Sequence, residues 1–114
     1  MQQKILVADD EASVREVVRR RLQRDGYQVR TAADGTDALE AFRESRFDVV
    51  IADLKMPGMD GVELVGRVKD LVPGIVAIVL TGYATSGSVA ELFRWGCDDV
   101  LQKPLPSLEL ISHS

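Results

Sequence analysis

The sequence predicts a doubly wound α/β domain, a three-layer sandwich in which five parallel strands run in the order 2-1-3-4-5 between two layers of helix. Three observations lead there. The runs Ile5 to Ala8, Val49 to Ala52 and Ile75 to Leu80 are continuously apolar, as in strands covered on both faces. Stretches with helical spacing separate the strands, and such alternation implies a parallel sheet with right-handed crossovers. Gln28 to Ala32 alternates polar and apolar residues, and Asp99 to Gln102 is short, so strands two and five belong at the edges.

Taken in order, Lys4 to Ala8 forms the first strand and stops on the pair Asp9-Asp10. From Glu11 to Asp25, Val14, Val17, Val18 and Leu22 recur at helical spacing, and Gly26 ends the helix. The arginines opposite them, Arg19, Arg20, Arg21 and Arg24, read as a solvated face. Asp34-Gly35 turns the second strand into a helix carrying Ala38, Leu39 and Phe42. The third strand, from Val49, ends on Asp53 before Pro57-Gly58 and Asp60-Gly61 restart the chain as a helix, with Asp60 as its cap. Val62, Leu64, Val65, Val68 and Leu71 line that helix, and Pro73-Gly74 closes it. The fourth strand ends on Thr81-Gly82. Ser88 and Glu91 have the spacing of a capping box for a helix with Val89, Leu92 and Phe93 on one face, stopped by Gly96. The fifth strand leads to Lys103-Pro104, and Leu108 and Ile111 could begin a last helix.

A chain of 114 residues, 46% hydrophobic and 28% charged, fits one folded domain, and a net charge of -4 gives no basic footprint for nucleic acid or an anionic membrane. Cys97 is the single cysteine, read as a small buried residue, and it fits a reducing compartment. No apolar run reaches the length of a membrane span and no signal-peptide pattern opens the chain, so the expected location is the cytoplasm. Trp95 stands on the flank of its helix's apolar stripe, open to partial burial or to a partner. Asp98 and Asp99, at the entrance to strand five, read as solvated, and His113 as inert.

In the 2-1-3-4-5 order the switch point lies between strands one and three, and ligands collect at the carboxyl ends of the strands. Asp9, Asp10 and Asp53 end those two strands, and Thr81 and Lys103 end strands four and five on the same rim. An aspartate at a strand end is ordinarily a helix cap; two neighbouring strands ending in acid on one rim are not explained that way. Carboxylates about 5 Å apart repel by about 3 kcal/mol per pair at an effective dielectric near 20, so a cation must offset them. An all-oxygen set without His or Cys suits Mg²⁺ or Mn²⁺. Thr81 and Lys103 are donors for phosphoryl oxygens, and Asp53, on a rigid apolar strand, is the candidate nucleophile for an acyl phosphate.

The motifs Val7-Ala8-Asp9-Asp10-Glu11, Asp53 to Gly61, Leu80-Thr81-Gly82-Tyr83 and Gly96-Cys97-Asp98-Asp99 with Lys103-Pro104 resemble, in order and spacing, the receiver domain of bacterial two-component response regulators, which has a flavodoxin-like topology. The resemblance covers Lys4 to about Ile111. It implies that Asp53 accepts a phosphoryl group from the phosphohistidine of a histidine kinase or phosphotransfer protein. It further implies that Asp10 and Asp53 ligate Mg²⁺ directly, Asp9 largely through water, and Lys55 through its backbone carbonyl. Thr81 and Lys103 would engage the phosphoryl oxygens, Lys55 and Tyr83 would tune how fast the group is lost, and the Lys103-Pro104 bond would be cis. The face of helix four, strand five and helix five, including Trp95, would meet an output domain, a partner protein or a second copy. One departure stands out: relatives carry Tyr or Phe where this chain has Val100, so the usual aromatic readout is missing.

Residues 1–114 are expected to be a single receiver domain from the N-terminal part of a longer regulator, since Met1 directly precedes strand one and ten residues after Pro104 are short for the last helix. The domain would catalyse only its own phosphorylation and dephosphorylation. An aspartate-nucleophile phosphohydrolase would need a general acid at the position of Lys55. A flavin carrier would meet repulsion between its phosphate and Asp9-Asp10-Glu11. A constitutive interaction module that kept only the fold is the remaining alternative, with Val100 in its favour.

Overall fold

In the computed structural model, Lys4–Ala8 (β1), Gln28–Ala32 (β2), Val49–Asp53 (β3), Val76–Thr81 (β4) and Asp99–Gln102 (β5) form one parallel sheet in the order β2-β1-β3-β4-β5. The helices between them are Ala12–Arg24 (α1), Gly35–Glu44 (α2), Gly61–Leu71 (α3) and Ser86–Arg94 (α4). The structure describes residues 2–82 and 86–103, with backbone only at 86–88. Tyr83, the Lys103-Pro104 bond, the last helix through Leu108 and Ile111, and His113 lie outside the described residues.

Alternation along each central strand sends side chains to two cores. Leu6, Ala8, Val50 and Ala52 pack under Ala38, Leu39, Phe42, Leu64 and Val68 of α2 and α3. Ile5, Val7 and Ile51 face the other way, against Val18 and Leu22 of α1. A third cluster joins Val65 to Ala77, Val79, Leu92 and Cys97 beneath α4. Leu6, Val7, Val50 and Ile51 are fully buried because both faces are covered, which is why these runs lack polar residues. Truncating any one of the larger of these to Ala would cost about 2–5 kcal/mol. Cys97 is buried as expected, and burial, with Asp98 and Asp99 nearby, pushes its thiol up from its ordinary pKa.

The helix ends follow their sequence signals with one exception. Asp34 accepts from the Asp37 N–H at 2.8 Å and Asp60 from the Glu63 N–H at 2.9 Å, capping α2 and α3. Gly26 and Gly96 take left-handed conformations just beyond α1 and α4. Ser88 is not at the cap position its spacing suggests, because α4 starts at Ser86 and places Ser88 inside its first turn. Val17 and Leu71 follow helical spacing yet are about half exposed, since they lie off the stripes that meet the sheet. On the outer face of α1 Arg19 and Arg20 both pair with Glu16, whereas Arg21 departs from the solvated face, being half-buried and paired with Asp25.

Asp98 is exposed, as the sequence suggests, but its carboxylate is also engaged. Its Oδ2 accepts from the Ala77 N–H at 2.8 Å and from Lys69 Nζ at 2.7 Å, while Lys69 also donates to the Ile75 carbonyl at 2.6 Å. Partial burial works against its charge, but the Lys69 and Ala77 hydrogen bonds outweigh that and hold its carboxyl below the ordinary range. The staple ties α3 to the entrances of β4 and β5. Asp98→Ala is expected to lower stability by about 1–2 kcal/mol, since it strips the Ala77 N–H and Lys69 of an acceptor; a urea midpoint unchanged from wild type would refute it.

Candidate functional site

Strand register brings the predicted site residues together. Ala8 pairs with Ala52, so Asp9 and Asp53 emerge side by side at the carboxyl rim. Asp53 pairs with Leu80 and Thr81 with Gln102, which sets Thr81 and then Lys103 one step further around that rim. The Lys103 N–H donates to the Thr81 carbonyl at 2.8 Å and the Leu54 N–H to the Leu80 carbonyl at 2.8 Å, fixing the loop entrances. Asp9, Asp53 and Thr81 are the buried polar residues among those described, whereas Asp10 is exposed.

The carboxylates of Asp9, Asp10 and Asp53 each offer an oxygen within 4.8 Å of the others. Lys103 Nζ lies 3.0 Å from Asp9 Oδ2, 3.4 Å from Asp53 Oδ1 and 3.6 Å from Glu11 Oε1. Desolvation acts against the lysine's charge, but Asp9, Asp53 and Glu11 together raise its pKa and keep it protonated. Burial pushes the Asp53 carboxyl up to about 6, with the Asp9 charge and the Asp10 hydrogen bond adding to the rise and Lys103 opposing it. One ammonium thus compensates only part of three acids.

Asp9 is held from several sides. Its Oδ1 accepts from the Glu11 N–H at 2.9 Å, and Arg15 Nη1 donates to its carbonyl at 2.8 Å. Its Oδ2 is enclosed and receives no well-directed hydrogen bond, although the Lys103 ammonium lies within ion-pair distance. That buried oxygen, in an all-oxygen set with a surplus of negative charge, fits a hard divalent cation. Beside Asp10 an open cavity of about 550 Å³ is lined by Leu54, Lys55, Met56, Pro57 and Asp60, so Lys55 sits at the mouth of the site.

Two contributors were not given a role by the sequence. Glu11 extends the acidic set toward Lys103, a position signalled only by its place after Asp9-Asp10. Gly61, read as a turn residue, packs its Cα against the backbone of the candidate nucleophile: a Cβ there would lie 2.4 Å from the Asp53 carbonyl oxygen. Val100 is half-buried against Val65, Val79, Leu92 and Cys97, a cluster that includes no aromatic ring among the described residues.

Fold and site define a doubly wound α/β domain with an acidic, lysine-facing crevice at its switch point. The family model of the response regulator receiver domain matches residues 5–114, and the chain belongs to that family of two-component signalling domains. It is 38% identical over 112 residues to the DNA-binding response regulator MtrA of Mycobacterium tuberculosis, covering 98% of this chain and 49% of that protein. The chain therefore spans about half the length of the curated relatives it matches. Among solved structures it resembles the response regulator protein TrrA of Thermotoga maritima in complex with Mg(2+)-BeF, with a TM-score of 0.86, 35% identity, and coverage of 99% of this chain and 96% of that one. It also resembles a response regulator protein of Burkholderia pseudomallei with a phosphorylated aspartic acid, calcium ion and citrate, with a TM-score of 0.87, 30% identity, and coverage of 97% and 65%. Among the described residues no helix is long and apolar enough to cross a membrane.

Proposed function

We propose that this domain is a phosphorylation-dependent switch in which Asp53 is the phosphoacceptor. The observation that carries the reading is the meeting of three carboxylates, their oxygens within 4.8 Å, with one half-buried lysine at the carboxyl rim of the sheet. An Asp53 carboxylate oxygen attacks the phosphorus of a phosphohistidine on a histidine kinase or phosphotransfer protein. The new O–P bond forms as the P–N bond breaks, and the imidazole leaves with the bonding electron pair and takes up a proton. Lys103 and Thr81 donate to the phosphoryl oxygens, and withdrawal of Lys103 from Asp9 toward the new anion moves positive charge across the crevice.

Asp9, Asp10, Asp53 and the Lys55 backbone carbonyl would hold Mg²⁺, or Mn²⁺, and the ion would neutralise charge on the transferring group. The metal carried by the TrrA complex and the phosphorylated aspartic acid of the Burkholderia protein support this reading by similarity. The domain would act on no substrate beyond its own acyl phosphate, would work in the cytoplasm, and would be the N-terminal receiver of a longer regulator. Its output would pass to an attached domain, a partner or a second copy across the face of α4 and β5. With Val100 in that cluster, the signal would travel without an aromatic ring at this position. The same cluster favours, as a second reading, a constitutive interaction module.

Incubation with phosphoramidate or acetyl phosphate and Mg²⁺ is expected to add one phosphoryl group to the protein, seen as a mass increase absent from Asp53→Asn. An unmodified wild type would overturn the switch and leave the constitutive module.

A further inference from the structure

Trp95 does not pack into the core beneath α4. Its indole is 60% exposed and borders a groove of about 570 Å³ against the outer face of α3, on the far side of Asp60 from the cavity at the site mouth. Val62 supplies apolar surface, and a Cβ built on Gly66 would meet nothing within 4 Å, so the groove has an open notch at mid-helix. Asp60, Glu63 and Asp70 set three acids around it against one base, Arg67, whose guanidinium is held by Glu63 at 3.1 Å. Among the described residues Asp70 has no ion-pair or hydrogen-bond partner.

We infer that the groove between α3 and Trp95 docks an arginine-bearing segment of a partner protein. The chemistry is complementary at each end. An indole face attracts a cation, and attracts a planar guanidinium by stacking as well. A fork of N–H donors can then meet the Asp70 carboxylate in two parallel hydrogen bonds, which the point charge of lysine cannot. Acidic walls reject acidic segments, and the apolar strip from Val62 to the indole covers the alkyl stem of the arginine. The surface is separate from the phosphoacceptor crevice, so the inference stands whether or not Asp53 is phosphorylated.

Trp95 is the sole tryptophan, so its emission reports on the groove directly. Titrating the full chain with a short alternating Ala/Arg peptide is expected to change that emission saturably, and a matched Ala/Lys peptide should bind roughly fivefold more weakly. By calorimetry, Asp70→Asn and Gly66→Leu, which fills the notch, should each weaken the Ala/Arg peptide by roughly fivefold or more. Glu40→Gln, an exposed acid on α2, should leave its affinity unchanged. Equal losses in Glu40→Gln and Asp70→Asn would reduce the effect to general attraction by an acidic protein and overturn the proposal. So would equal affinity for the lysine peptide, an unmoved Trp95 emission at saturation, or a concentration-dependent emission shift without peptide, which would place a second copy of the chain in the groove.

Discussion

Gly61→Ala is expected to destabilise the domain by about 3 kcal/mol or more, whereas Gly66→Ala, five residues along the same helix, should stabilise it by about 0.5–1 kcal/mol. The two glycines differ in what a methyl group meets. At Gly61 a Cβ lies 2.4 Å from the Asp53 carbonyl oxygen and 3.0 Å from both the Asp53 carbonyl carbon and Leu54 Cα, all of them backbone. Neither side can yield: Asp53 belongs to β3, and the Gly61 N–H is bonded to the Leu54 carbonyl at 3.0 Å. Strain must then move either the start of α3 or the end of β3, and the latter carries the candidate nucleophile. At Gly66 nothing lies within 4 Å, so alanine only removes backbone freedom from the unfolded chain. Paired urea titrations check the contrast, and two shifts of the same sign would show that the close approach at Gly61 does not govern this turn.

The second large effect is electrostatic. In metal-free protein, stability should fall as pH rises from about 4 to about 6 on account of Asp53. Its folded carboxyl titrates near 6 and an unfolded aspartate near 3.9, so between those values the folded state holds the extra proton and loses ground as protons become scarce. Above that window the penalty is complete and the contribution flat. Asp53→Asn should therefore remove this part of the slope and stabilise the metal-free protein at pH 7 by about 1–2 kcal/mol. Mg²⁺ at about 100 times its dissociation constant should stabilise wild type by about 2.7 kcal/mol, worth roughly 10 °C or more in a domain of this size. Asp10→Asn is the discriminating variant, because Asp10 is exposed and its loss leaves the core intact. Thermal melts with and without Mg²⁺ would decide: an undiminished shift in Asp10→Asn sinks the metal site.

The candidate site was legible because Asp9, Asp53 and Thr81 each follow an apolar run. A strand enclosed on both faces has no reason to carry Asp9, Asp53 or Thr81 until it surfaces, so the end of each run marked the rim. Strand order followed from the same contrast, with the alternating β2 and the short β5 at the edges. Less legible were features set by residues distant in sequence. Asp98 is exposed as expected, but its acceptor role depends on Ala77 and Lys69, and nothing near Asp98 in the chain announces either. Ser88 and Glu91 have capping-box spacing, but the helix already begins at Ser86, most of a turn earlier.

By itself, then, the sequence determined the parallel sheet, its order and the acids and lysine that end its strands, since apolar periodicity and strand ends are local properties. Only the tertiary structure decided how Lys103 is shared among Asp9, Asp53 and Glu11, how closely Gly61 abuts Asp53, and that Trp95 opens onto α3. Each of those is a distance between elements, fixed by register and by the packing of helices on the sheet, and no spacing along one strand or helix encodes it.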